Sequence, residues 1–182
     1  MRTFEWAIED IIDAYPLLGL DDYAAMAVAL LRREPPPCEF LVQIQGFTID
    51  DLESEDQFNL NVTWNPRTRA RAERLERTKQ RASIVEGAAV AMTALLISHL
   101  IKDSDWGVTL RGDGPDYWLP RLKHALEITG TERFAELARR RREKKRQVLG
   151  NARGWDGYVV LCCFAEPRRL IQWIHYSQQE ES

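Results

Sequence analysis

The run GYVVLCCF, residues 157–164, constrains this chain more than any other segment. It carries no charge and no polar alternation and is rich in β-branched and apolar side chains, so it reads as a central strand covered on both faces. Two segments are suited to cover it. SIVEGAAVAMTALLISHLI (83–101) has apolar residues at every helical spacing and no Pro, which predicts a largely buried helix with Glu86 and Gly87 in its first turn. TERFAELARRRREKKRQV (131–148) predicts a strongly basic helix stopped by Gly150 and Asn151. Between them ALEIT (125–129), bounded by Lys123 and His124 on one side and Gly130 on the other, reads as a strand burying at least one face. The expected class is α/β, a mixed central sheet flanked by helices.

The first third reads as a separate layer. FEWAIEDIIDAY (4–15) has apolar and acidic residues at helical spacing, DDYAAMAVALLRR (21–33) is a second helical segment, and Pro16 and Gly19 separate them. An N-terminal helical hairpin is expected, self-packing first and a contact surface for a protein partner second. Pro35, Pro36 and Pro37 make a stiff break, after which CEFLVQIQGF (38–47) and FNLNVTW (58–64) alternate as strands with one wet and one dry face, joined by an acidic loop over 50–56. The division expected is a helical appendage over 1–37 and an α/β domain over 38–182 that includes a β-hairpin at 38–65.

At 182 residues and 45% hydrophobic, the chain can bury a good core. The net charge of −3 hides an asymmetry: residues 1–66 carry a balance of −10 and residues 67–182 a balance of +7. The basic runs RTRARAERLERTKQR (67–81) and RRRREKKR (139–146) would attract a polyanion, although Glu73 with Arg77 and Glu136 with Arg140 also fit ordinary helix pairs. Three cysteines, Cys38, Cys162 and Cys163, are an odd number, and with no basic leader in view the expectation is reduced thiols in the cytoplasm. Glu86, Ser98 and His99 make 84–101 a better core helix than a membrane span. His99, His124 and His175 are scattered without zinc spacing, and His99 is expected to be a satisfied core residue. GlyAspGlyPro (112–115) reads as a tight turn rather than a phosphate loop, and no Ser-His-Asp or Cys-His pattern is present.

What remains is a pair of acids. Asp116 follows the glycine-rich turn and Glu127 sits inside the apolar strand. A carboxylate in such a strand needs a cation, a hydrogen-bond donor or a metal, because burial alone forces it neutral or costs several kcal/mol. Two carboxylates so spaced can meet at one hard divalent ion, Mg²⁺ or Mn²⁺.

The order helix with Glu86, strand, turn with Asp116, strand with Glu127, basic helix, buried strand resembles the PD-(D/E)xK nuclease superfamily, the restriction-endonuclease-like fold, over roughly residues 83–165. That resemblance implies Asp116 and Glu127 as metal ligands, Glu86 as a supporting helix acid, and a nucleic acid substrate. It also implies a lysine two positions after the second acid, where this chain has Thr129. Some members move that lysine to the following helix, which makes Lys144 the candidate, with Gln147 one turn on and Arg140 on the same face. Arg140, Arg141, Lys145 and Trp118 are the candidates for nucleic acid contact, Trp118 because it follows Asp116 by two in an extended segment. The chain also resembles small bacterial proteins, chiefly cyanobacterial, through LVQIQGF (41–47), DYWL (116–119) and LEITG (126–130), over most of its length from about residue 38. That second resemblance implies a common fold and no activity. Two expectations follow: a Mg²⁺-dependent nuclease, or a catalytically silent nuclease-like subunit of a bacterial defence or toxin-antitoxin system. Homodimerisation is compatible with either.

Overall fold

The computed structural model describes residues 1–49, 52, 56–101, 106–108 and 116–181. The first half of the chain contributes β1 (Thr3–Ala7), α1 (Asp10–Ala14), α2 (Asp21–Leu31), β2 (Cys38–Gln45), β3 (Gln57–Thr63), α3 (Pro66–Thr78) and α4 (Arg81–Leu96). A π-helical turn (Ile97–Ile101) extends α4, and β4 (Gly107–Val108), β5 (Tyr117–Leu119), β6 (His124–Thr131), α5 (Leu137–Leu149), β7 (Gly157–Cys163) and β8 (Arg169–Tyr176) follow. The strands form one mixed sheet in the order β1-β3-β2-β8-β7-β6-β5-β4.

β7 is the strand the sequence demanded: every residue in it is buried. It runs parallel to β6 and antiparallel to β8. Val159, Leu161 and Cys163 join Leu137 and Val148 of α5 in one apolar cluster. Val160 and Cys162 join the larger core with α4 and α2 on the opposite face. All three cysteines are buried free thiols. α4 with its extension is long and apolar enough to cross a membrane, yet most of it is buried inside the molecule. Because α4 begins at Arg81, Glu86 lies in its second turn rather than its first.

The hairpin at 38–65 forms as expected. β2 and β3 pair antiparallel with Phe40 opposite Leu60, and the alternation puts Cys38, Phe40, Val42 and Ile44 inside with Glu39 outside. Of the acidic loop, only Leu52 and Asp56 lie within the described residues, and the turn at 112–115 lies outside them. Asn65 caps α3, accepting a hydrogen bond from Thr68 N at 2.9 Å, with Pro66 in the first turn.

The N-terminal helical hairpin does not form. Thr3–Ala7 is a strand that pairs parallel with β3, and only Asp10–Ala14 is helical before the break. A segment this short fits either period, and pairing decides it: Phe4 packs edge-on against Phe58 at 5.2 Å, and Trp6 stacks on His99 at 4.3 Å. His99 is also held by Asp10, 3.0 Å from its Nε2, so it has partners as expected but is half-buried and not a core residue. α2 is a helix in which Ala24 to Leu31 are all buried in the core. β8 is a strand that the sequence pattern did not announce, and it sits mid-sheet between β2 and β7.

Two glycines let the helices close on β6, which carries Glu127, and on its neighbour β7. A Cβ on Gly130 would stand 2.4 Å from the Val85 carbonyl oxygen, so α4 lies directly against β6 there. A Cβ on Gly157 would stand 2.3 Å from Val148 Cγ2 of α5. Gly130→Ala should force α4 outward and cost about 2 kcal/mol, a fall in Tm of about 4–8 °C in a thermal melt. A Tm unchanged within about 1 °C would mean that the α4–β6 contact yields freely.

Candidate metal and phosphate site

β6 and α5 run past each other in a matched register. Two residues along a strand advance about 6.6 Å and four along a helix about 6 Å, so every second residue of β6 meets every fourth of α5. Thr131 Oγ1 donates to Glu136 Oε2 at 3.0 Å, and Arg140 Nη1 donates to Thr129 Oγ1 at 2.7 Å. Lys144 Nζ donates to Glu127 Oε2 at 2.5 Å, and at the next step Ala125 and Val148 are buried in one cluster. This ladder explains how a lysine on the helix reaches an acid on the strand.

The ends of that ladder meet the other acids. Lys144 Nζ also donates to Asp116 Oδ2 at 2.9 Å, so one ammonium holds both carboxylates. Asp116, at the entrance to β5, accepts from Ile128 N at 3.4 Å. Glu86 of α4 accepts from Thr129 Oγ1 and Gly130 N, each at 3.3 Å, and pairs with Arg140 Nη1 at 3.2 Å. The close approach at Gly130 is what brings Glu86 within reach. Together Glu86, Asp116, Thr129, Arg140, Lys144 and Gln147 line a cleft of about 470 Å³, whose wall also includes Glu143 and Tyr117.

Electrostatics in the cleft are set by Glu127, whose side chain is 1% exposed. Burial pushes its carboxyl up from an ordinary 4.5 to about 7; the Lys144 hydrogen bond and charge pull it back only partly, and Asp116 adds to the rise. For Lys144, burial acts to lower the pKa, but the hydrogen bonds and charges of Glu127 and Asp116 outweigh it and the net direction is up. The ammonium therefore stays charged while Glu127 titrates near neutrality. Glu136 is held below its usual range by the Thr131 hydroxyl and then by Arg140. Tyr117, half-buried near Tyr23 and the cleft acids, is pushed up to about 12, chiefly by desolvation, and stays a neutral phenol.

One carboxylate oxygen of this group is left over. Among the described residues, Glu127 Oε1 is buried and has no hydrogen-bond partner. An ionised carboxylate normally accepts at both oxygens, so this orphan marks a donor set that a hard cation fits.

The nucleic acid candidates divide. Arg140 lies in the cleft, tied to acids. Arg141 and Lys145 sit on a different face of α5: Arg141 Nε donates to Tyr176 Oη at 2.9 Å and the Lys145 ammonium stands 5.4 Å from the same ring. Trp118 is not a stacking platform, because it is buried against Trp155 with the Arg153 guanidinium 4.5 Å from its ring. Its alternation in β5 turns it under α5, where the sheet needs bulk. The exposed cations of α5 are Arg139, Arg142 and Arg146, which helical periodicity places opposite the buried Leu137 and Val148.

The sequence reading also missed a second cluster. His124, Asp156 and His175 bring their ligand atoms within 4.8 Å of one another at the other end of β6. Comparison with family models, curated proteins and solved structures gives no match for this chain.

Proposed function

We propose that the cleft is a divalent-ion-dependent phosphodiesterase centre of the PD-(D/E)xK type, acting on nucleic acid. The observation that carries the reading is the single ammonium of Lys144 shared by Asp116 and Glu127, supplied from α5 while Thr129 fills the usual lysine position. The topology supports it: α4, the antiparallel strands β4, β5 and β6, α5, and β7 parallel to β6 follow the order of the restriction-endonuclease-like core.

Asp116 and Glu127 would hold Mg²⁺ or Mn²⁺, with Glu86 in support. Bound there, the ion would acidify a coordinated water and neutralise charge on the phosphodiester. The chain's own residues do the rest. Lys144 orients the attacking water or steadies the phosphate, Arg140 fixes Glu86 and Thr129 beside it, and Gln147 offers an amide at the cleft wall. The exposed arginines of α5 draw a polyanion toward the opening. The test is incubation of labelled single- and double-stranded DNA and RNA with the protein, with Mg²⁺ or Mn²⁺ and with chelator. Metal-dependent cleavage of at least one class is expected, and none with chelator.

The Glu127 pKa gives this reading a pH signature. The carboxyl must lose its proton to bind a cation, so ion affinity should rise about tenfold per pH unit below about 7 and level off above about 8. Its sign for stability is the reverse. A carboxyl raised in the folded state stabilises the fold while protonated, in full below about 4.5, and that contribution is lost as pH rises through about 7. A metal affinity flat between pH 5.5 and 8 would remove Glu127 from the ligand set.

A second reading is favoured by one feature. Lys144 and Arg140 already hold Asp116, Glu127 and Glu86 in ion pairs without a metal, two cations shared among three acids. In that reading the domain is a silent, nuclease-like subunit whose cleft is structural. It predicts a folded protein that binds no divalent ion in the cleft.

A further inference from the structure

We propose that His124, Asp156 and His175 form a second metal site, one for Zn²⁺ or a neighbouring first-row transition ion rather than Mg²⁺. The three residues come from the start of β6, the segment before β7, and the end of β8. Their place at the opposite end of β6 from Thr129 separates them from the cleft. His124 and Glu127 are three apart on a strand, so their side chains also leave opposite faces.

The geometry is that of oriented ligands. His124 Nδ1 lies 2.6 Å from the Leu122 carbonyl oxygen, which can only accept, so Nδ1 carries the proton and Nε2 presents its lone pair outward. A hydrogen bond from the far ring nitrogen to a carbonyl is the usual device by which a protein fixes a metal-binding imidazole. That Nε2 faces His175 Nε2 at 3.1 Å. Two imidazole nitrogens aimed at each other need an electrophile, either a shared proton or a metal ion. Asp156 supplies the third donor: its Oδ1 accepts from Gln178 N at 2.8 Å, and its Oδ2 points to His175 Nε2 at 4.0 Å.

Distances favour an ion of zinc size. Donors about 2.0–2.1 Å from a tetrahedral centre stand about 3.4 Å apart, close to the 3.1 Å and 4.0 Å of the two pairs that include His175, while all three donors lie within 4.8 Å of one another. Closing the set requires a small swing of Asp156, which is half-exposed. The rings are held otherwise: His124 stacks on Tyr158 with centroids 4.8 Å apart, and His175 packs edge-on to Phe47 at 6.5 Å. Two imidazoles and one carboxylate suit zinc, cobalt or iron(II), whereas Mg²⁺ prefers an all-oxygen shell. With three protein donors, a further coordination position faces solvent. The bound ion would tie three segments together at one edge of the core.

The test uses Glu127→Ala as the parent, so that success or failure is independent of the cleft. Zn²⁺ is titrated calorimetrically and Co²⁺ by its visible ligand-field bands. Expected are one ion per chain, Co²⁺ bands of four- or five-coordinate intensity, and a raised Tm with Zn²⁺. His175→Gln and Asp156→Asn, each added to the parent, should weaken binding by about a hundredfold or more, since even loss of an outer partner costs 10–100-fold. Asp156→Asn keeps an acceptor for Gln178 N and serves where His175→Gln fails to fold. A folded parent that binds no Zn²⁺, or binding undiminished in Asp156→Asn, would overturn the proposal and leave the two histidines sharing a proton.

Discussion

Lys144→Met is expected to lower metal-dependent hydrolysis by about 10²–10⁴-fold, the range for loss of a positioned proton-handling group. The same substitution should strengthen divalent-ion binding by about tenfold, equivalent to about 1.4 kcal/mol. Both follow from one geometry. The Lys144 ammonium stands between Asp116 Oδ2 and Glu127 Oε2, where it serves the reaction and competes with a cation for the same oxygens. The binding experiment belongs at about pH 9, because removing the ammonium pushes the Glu127 carboxyl up further and a proton would otherwise compete. Opposite signs of the two effects separate this from loss of fold, which would weaken both. Lys144→Met with unchanged hydrolysis would remove the migrated lysine from the account.

Glu127→Ala has the second large effect: loss of ion binding in the cleft and hydrolysis at background. Its cost to folding should stay within about 1–2 kcal/mol, well below the usual penalty for breaking a buried ion pair. Lys144 keeps its bond to Asp116, which is 44% exposed and shares that charge with solvent. The carboxyl removed is one that burial already disfavours. Glu127→Gln is the gentler control, retaining volume and one acceptor while abolishing the charge.

Much of this site was readable from the chain because its parts repeat at local periods. Arg140, Lys144 and Gln147 share a helical face by spacing alone, and a lone acid in ALEIT needs a counterion wherever it folds. The meeting of that face with that strand was not readable in the same way. It depends on Gly157 admitting Val148 and on Gly130 admitting Val85, close contacts between segments far apart in sequence. Trp118 shows the limit of alternation. The two-residue offset from Asp116 rightly turns both residues toward α5, where Asp116 meets Lys144, but it did not announce that Trp118 is buried there against Trp155 instead of lying open at the cleft.

The errors in the fold have a common source. FEWAIED suits a helix by spacing, and only the parallel partner β3, more than fifty residues away, makes Thr3–Ala7 a strand. RLIQWIHY was passed over because its polar residues at Arg169, Gln172 and His175 break the apolar run. Those residues meet distant partners: Arg169 Nη1 pairs with Glu34 at 3.1 Å, Gln172 with Gln43 at 3.2 Å, and His175 with His124 in the histidine cluster. The cluster itself draws on positions 124, 156 and 175, so no short motif could display it.

The central claim is that Asp116 and Glu127 hold a catalytic divalent ion. It is tested most directly by calorimetric titration of Mn²⁺ into the wild type, Asp116→Ala and Glu127→Ala at about pH 8, where Glu127 is mostly ionised. Any Mn²⁺ held by the histidine cluster persists in both variants and is subtracted, and Zn²⁺ is left out because it would compete for the cleft carboxylates. The account predicts saturable binding of one or two Mn²⁺ per chain, lost in both folded variants. A folded wild type that takes up no Mn²⁺, alone or with a non-cleavable oligonucleotide supplying phosphate oxygens, would contradict it and make the cleft a structural set of ion pairs.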